Sequence, residues 1–141
     1  MLNSLYDVKI ASDETGGALT LMEMTIPKGW GPPPHTHPGA ETVYVVEGSV
    51  LYHLGHETIE AGPGSVFHAP PGTLEWFEPV SEVARVVIAY TPGGIEQFFA
   101  EVGEPAQKRA LPPLSKEPPD LARIAAIGAK YGMEIQRPPG S

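Results

Sequence analysis

Short stretches rich in valine, isoleucine, threonine and aromatic residues follow one another along this chain, each closed by glycine or proline. That rhythm restricts the fold more than any other feature. Strands of this length separated by tight turns imply an all-β sandwich or barrel. The 16 glycines and 17 prolines are about twice the usual share, and they fall between the stretches rather than in a low-complexity tract. The candidate strands are Ala18 to Ile26, Thr42 to Glu47, Ser49 to Leu54, Glu57 to Ala61, Ser65 to Ala69, Leu74 to Glu78 and Val83 to Tyr90. Gly48, Gly55-His56, Gly62-Pro63-Gly64 and Pro70-Pro71-Gly72 supply the turns between them.

After Pro92-Gly93-Gly94 the apolar period lengthens: Ile95, Phe98, Phe99 and Val102 form the stripe of a short helix that docks on the barrel. Residues 103–119 read as a Pro-rich surface strap. Asp120 is placed as the N-cap of a further helix with apolar positions Leu121, Ile124, Ala125 and Ile127, ended by Gly132. A chain of 141 residues supports one core. Residues 1–102 are therefore expected to form the barrel with its docking helix, and 103–141 a strap and C-terminal helix packed on the same domain.

Charge and composition remove several classes of function. With 9 basic and 17 acidic residues the formal charge is −8, so nucleic acid and anionic membranes are not expected partners. The chain has no cysteine, which excludes disulfides, thiolate metal sites and a cysteine nucleophile. No apolar run is long enough to cross a bilayer, and Met1 to Ile10 lacks the pattern of a signal peptide, so a cytoplasmic location is expected. A Ser-His-Asp triad has no acid in the barrel, because Asp7, Asp13 and Asp120 all lie outside it.

His35 and His37 are two residues apart, so in a strand both imidazoles point to the same face. Pro38-Gly39-Ala40 then makes a turn, and Glu41 opens the next strand where its carboxylate can reach back. Two neutral nitrogens and one oxygen suit a divalent Zn, Fe, Mn, Ni or Co ion with positions left open.

The longer spacing is more specific. Gly29, five residues, His35, one, His37, three, Glu41, six, then Gly48 resembles the first sequence motif of the cupin superfamily. Gly64, five residues, Pro70, one, Gly72 and the segment Thr73 to Phe77 resemble the second. The stretch from Tyr90 to Phe99 is similar to the tails of small single-domain cupins likened to quercetin dioxygenases. The resemblance implies a double-stranded β-helix, a jelly-roll barrel closed by one or two short C-terminal helices, with one divalent metal ion in its mouth. It implies His35, His37 and Glu41 as three ligands. Most metal-binding cupins carry a histidine in the second motif where this chain has Glu75, and a later asparagine where it has Pro79.

Glu75 has two functional roles open to it, fourth metal ligand or general acid/base beside the ion. His68, on the strand before Pro70, is a candidate cavity-wall residue that would donate to the metal or hold substrate. His53 and His56 are expected in solvent. No Lys or Arg falls between Lys28 and Arg85, while seven glutamates do, which disfavours an anionic substrate. Trp30, Tyr44 and Phe77 are candidate pocket residues for a flat, uncharged aromatic or polyketide-like molecule; Tyr52 and Phe67 are expected in the core. Three functions follow: a redox-neutral enzyme catalysing enolisation, cyclisation or isomerisation, a quercetinase-like dioxygenase, and a non-catalytic ligand-binding cupin. A small-molecule substrate and a second copy of the chain, forming a homodimer, are the expected partners.

Overall fold

The computed structural model describes residues 3–103 and 120–136. Its strands are β1 (Leu5–Ile10), β2 (Thr20–Pro27), β3 (His35–Thr36), β4 (Ala40–Glu47), β5 (Val50–Leu54), β6 (Glu57–Ala61), β7 (Val66–Ala69), β8 (Glu75–Pro79), β9 (Val83–Thr91) and β10 (Glu134–Ile135). Two helices, α1 (Ile95–Val102) and α2 (Leu121–Lys130), complete the set with one 3-10 turn at Ser12–Thr15. Two five-stranded antiparallel sheets, β1-β2-β9-β4-β7 and β10-β3-β8-β5-β6, face each other as a jelly-roll sandwich. All seven expected strands form, with ends shifted by a residue or two. The short strands β3 and β10 and the edge strand β1 are additions.

Alternation decides what fills the space between the sheets. Met22, Met24 and Ile26 of β2, Val43 and Val45 of β4, and Val86 and Ile88 of β9 are all buried there. From the other sheet Val50, Tyr52 and Phe77 meet them. Cutting back a side chain as buried as Ile88 to alanine would cost about 2–5 kcal/mol.

Gly48 adopts φ +78° where the β4–β5 turn meets β9, and a Cβ there would lie 2.3 Å from the Val83 carbonyl oxygen. That crowding, together with the left-handed backbone, explains the closing glycine of the first motif. Gly39, between His37 and Glu41, has the same need for closeness, since a Cβ would lie 2.4 Å from the Thr91 carbonyl oxygen.

Both C-terminal helices form where the periodicity places them. In α1 the Glu96 carboxylate accepts from Ser12 N (2.7 Å), Thr20 Oγ1 (2.6 Å), Gly94 N (3.1 Å) and the Ser12 hydroxyl, tying the helix to the 3-10 turn and β2. Burial opposes the effect, but these donors outweigh it and hold Glu96 down at about 2. Asp120 caps α2, accepting from Arg123 N at 3.0 Å. Phe98, Val102, Ile124 and Met133 make a second small core, and β10 adds to the edge of β3 with Ile135 opposite His35. The C-terminal segment thus closes over the histidine strand. The expected strap, beyond Gly103, lies outside the described residues. No helix among the described residues is long and apolar enough to cross a membrane.

Candidate metal centre

Four side chains from three strands and one turn converge inside the sandwich. His35 lies on β3 and His37 follows it with the same facing, both buried. The turn over Gly39 brings Glu41 back at the start of β4, and Glu75 opens β8 directly opposite His35. Glu75 is 1% exposed, so it does not face solvent.

The donor atoms of His35, His37, Glu41 and Glu75 all lie within 4.8 Å of one another. His37 Nε2 is 2.8 Å from Glu41 Oε2 and 4.0 Å from Glu75 Oε1; His35 Nε2 is 3.5 Å and 3.3 Å from the same two oxygens. Donors about 2.1 Å from one cation stand roughly 3.0–3.4 Å apart at adjacent positions, and the observed separations bracket that range. Despite this closeness, His37 Nε2, Glu41 Oε2 and Glu75 Oε1 are buried without a hydrogen-bond partner. Buried polar atoms left unpaired are costly, and three aimed at one point are satisfied together by a cation. The residues present therefore fit a divalent metal.

Contacts behind the donors support the same assignment. His35 Nδ1 lies 2.7 Å from the Pro33 carbonyl oxygen, which only accepts, so Nδ1–H donates and Nε2 keeps its lone pair for the centre. The two imidazoles meet edge to face at 4.6 Å, and His37 rests on Tyr90 at 5.5 Å. The Tyr52 hydroxyl donates to Glu75 Oε2. Burial and the nearby Glu41 charge push the Glu75 carboxyl up to about 8. Burial pushes Glu41 up as well, but its contacts with Glu75 and the imidazoles outweigh that and hold it well below the usual range. Desolvation lowers His35, yet the two facing carboxylates overcome it and raise His35 to about 10. Without a cation, the cluster balances its charge by retaining protons.

A cavity of about 440 Å³, counting the part open to solvent, adjoins His35, His37 and Glu41. Phe77, Ile88 and Tyr90 wall it from the sandwich, and Phe99, Ile124 and Ile135 from the C-terminal elements. Among the described residues no Lys or Arg lines it.

The structure moves three of the sequence candidates. His68 points outward, because its neighbours Phe67 and Ala69 occupy the inward positions of β7; its Nδ1 pairs with Thr42 Oγ1 at 2.9 Å on the exterior. It is neither a ligand nor part of the cavity wall. Tyr44, between the buried Val43 and Val45, is 46% exposed on the outer face. Trp30 is half-buried against the barrel core and does not line the cavity. Phe77 does line it, on the same face of β8 as Glu75. His56 is exposed as expected, whereas His53, on the outer face, is only 16% exposed because it stacks on Trp76 at 4.2 Å. The sequence reading missed the Tyr52 hydroxyl, the place of Tyr90 in the wall and the contribution of the C-terminal segment. The buried parity of Tyr90 with Ile88 on β9 was the available signal for one of these.

Comparison with known proteins agrees with this arrangement. Residues 22–90 match the cupin domain family. Quercetin 2,3-dioxygenase of Bacillus subtilis (strain 168) is 27% identical over 111 residues, 78% of this chain and 33% of that protein. An uncharacterized protein of Streptomyces coelicolor is 34% identical over 56 residues, 40% of this chain and 53% of that protein. The chain thus spans between a third and about half of the length of these curated relatives. Among solved structures, KdgF from Halomonas sp. matches with a TM-score of 0.61 at 20% identity, covering 67% of this chain and 84% of that one. The polyketide cyclase RemF from Streptomyces resistomycificus matches with a TM-score of 0.56 at 25% identity, covering 63% and 65%. The motif histidines and most strands of both sheets fall inside the matched stretch, and residues 22–90 carry a cupin domain.

Proposed function

We propose that this chain is a metal-dependent enzyme performing redox-neutral chemistry, enolisation, cyclisation or isomerisation, on a small uncharged aromatic or polyketide-like molecule. The observation that carries the proposal is the cluster of four buried N and O donors, three of them, on His35, His37 and Glu41, lining an apolar cavity that no Lys or Arg among the described residues lines. His35, His37, Glu41 and Glu75 would hold the ion, and two carboxylates balance the charge of a divalent cation, with zinc preferred and iron, manganese, nickel or cobalt as alternatives. When bound, the ion supplies Lewis acidity toward a carbonyl or enol oxygen. Phe77, Tyr90 and Phe99 offer ring faces and edges that orient a flat molecule, while Ile124 and Ile135 shield it from water. As a ligand, Glu75 would offer Oε1, its buried oxygen without a hydrogen-bond partner. A cytoplasmic location and a homodimer belong to the same reading, the homodimer supported by Tyr44 and Val66, which are cross-strand partners exposed together on one outer sheet face.

A dioxygenase is the second reading, favoured by the 27% identity to quercetin 2,3-dioxygenase across 78% of this chain. Metal analysis of protein purified without added metal, combined with oxygen uptake on flavonols and other enols, separates the two. Retained zinc without oxygen uptake is the expected result. Iron, manganese or nickel with oxygen consumption would replace it by the dioxygenase, and the absence of stoichiometric metal would leave a non-catalytic binding protein.

A further inference from the structure

Tyr52 lies deep in the sandwich, 1% exposed, and nothing in the proposed chemistry uses it. Two other rings stack on it. Phe67 from the opposite sheet stacks on it at 4.3 Å and 6°, and Phe77, its cross-strand partner on β8, at 5.6 Å and 5°. In the β5–β8 ladder Tyr52 pairs with Phe77 and Leu54 with Glu75, so Tyr52 and Glu75 are diagonal neighbours on the inward face. The stacked phenol donates its hydroxyl to Glu75 Oε2. The other oxygen, Oε1, is unpartnered and faces His35 Nε2 at 3.3 Å.

We propose that Tyr52 is a positioning residue of the metal centre: it occupies Glu75 Oε2, so that Glu75 meets the ion through Oε1 alone. The inference rests on the metal-binding reading above. A carboxylate with both oxygens free can bind a cation through one or both, and a hydrogen bond to one oxygen removes that choice. A partner that orients a ligand in this way typically changes metal affinity 10–100-fold when lost. A hydroxyl merely satisfied by the handiest buried acceptor would instead affect stability and leave the ion's surroundings unchanged.

Co²⁺ titrated into the full chain is the probe, read by visible d–d absorption and by competition with a chelator. Tyr52→Phe keeps both ring stacks. It is expected to bind Co²⁺ with a d–d band changed in intensity and position, and to lose the ion to roughly 10–100-fold less chelator. In a Glu75→Ala background the same substitution should change neither readout. Superimposable wild-type and Tyr52→Phe spectra with equal competition, or an equal effect in the Glu75→Ala background, would overturn the assignment while leaving the metal centre intact. A wild-type chain that takes up no Co²⁺ would remove both. The wild type offers a further measurement that needs no folded Tyr52 variant. Infrared difference spectra of loaded against metal-free protein, assigned with Glu75→Gln, should show the wide separation of carboxylate stretches typical of one-oxygen binding; a narrow separation would overturn the proposal.

Discussion

His35 and Glu75 stand opposite each other in the β3–β8 ladder, with His35 Nε2 3.3 Å from Glu75 Oε1. Their approach is a consequence of strand register rather than of loop conformation. Glu41 is held the same way, between Ala69 of β7 and Tyr90 of β9. Donors on paired strands are pre-positioned, so a cation meets little reorganisation cost on entering.

Removing either histidine should therefore empty the site without unfolding the sandwich. His35→Ala and His37→Ala are expected to reduce bound metal to near zero by elemental analysis while far-ultraviolet circular dichroism stays unchanged. A variant that kept its full metal content would exclude that residue from the centre.

The inward and outward faces of the sheets make opposite forecasts for three other side chains. Glu75→Gln removes an anionic donor from the buried cluster and should lower metal affinity or activity about 10–100-fold. His53→Ala and His68→Ala alter only exterior contacts, with Trp76, Thr58 and Glu78 for the first and Thr42 for the second, and should leave metal content and turnover within about twofold of wild type. Equal losses from Glu75→Gln and His53→Ala would show that the second motif is wrongly aligned.

How much of this is legible in the sequence depends on the range of the contacts involved. His35, His37 and Glu41 can be read because alternation and one short turn bring them together within seven residues. Glu75 is reached through the second motif. The outward facing of His68 and Tyr44 is also encoded locally, since each is flanked by two core residues, Phe67 and Ala69 or Val43 and Val45, and parity then forces it out. Motif proximity was the weaker guide there. The Tyr52–Glu75 contact needs the β5–β8 register, and the closing of the cavity by Ile135 needs a two-residue pairing with β3; neither register leaves a periodic trace.

A second consequence of the buried carboxylates is a large dependence of stability on metal. Glu41 and Glu75 are 2% and 1% exposed, and a cation that binds only the folded chain stabilises it by mass action. At a hundredfold excess over Kd that is about 2.7 kcal/mol, which for a domain of this size corresponds to roughly 8–12 °C in Tm. Calorimetry with and without chelator should show the drop, and readding zinc should restore it. An unchanged Tm in protein shown to have lost its metal would contradict the folded-state site.

Glu96 predicts the acid behaviour of the α1 attachment, away from the metal. Its carboxylate accepts from Ser12, Thr20 and Gly94, and its value near 2 lies below the ordinary 4.5. A group depressed on folding stabilises fully above its unfolded value and loses that effect as pH falls through the folded one. The contribution is therefore complete above about pH 4.5 and gone near pH 2. Glu96→Gln should lower Tm by a few degrees at pH 6, with the gap from wild type narrowing between pH 4.5 and 2. Because the carboxylate is only half-buried, water screens part of the effect and the shift stays modest. Thermal melts of both proteins across that range give the answer: a gap that stays constant down to pH 2 would mean that the substitution acts through packing of α1 and not through the ionised carboxylate.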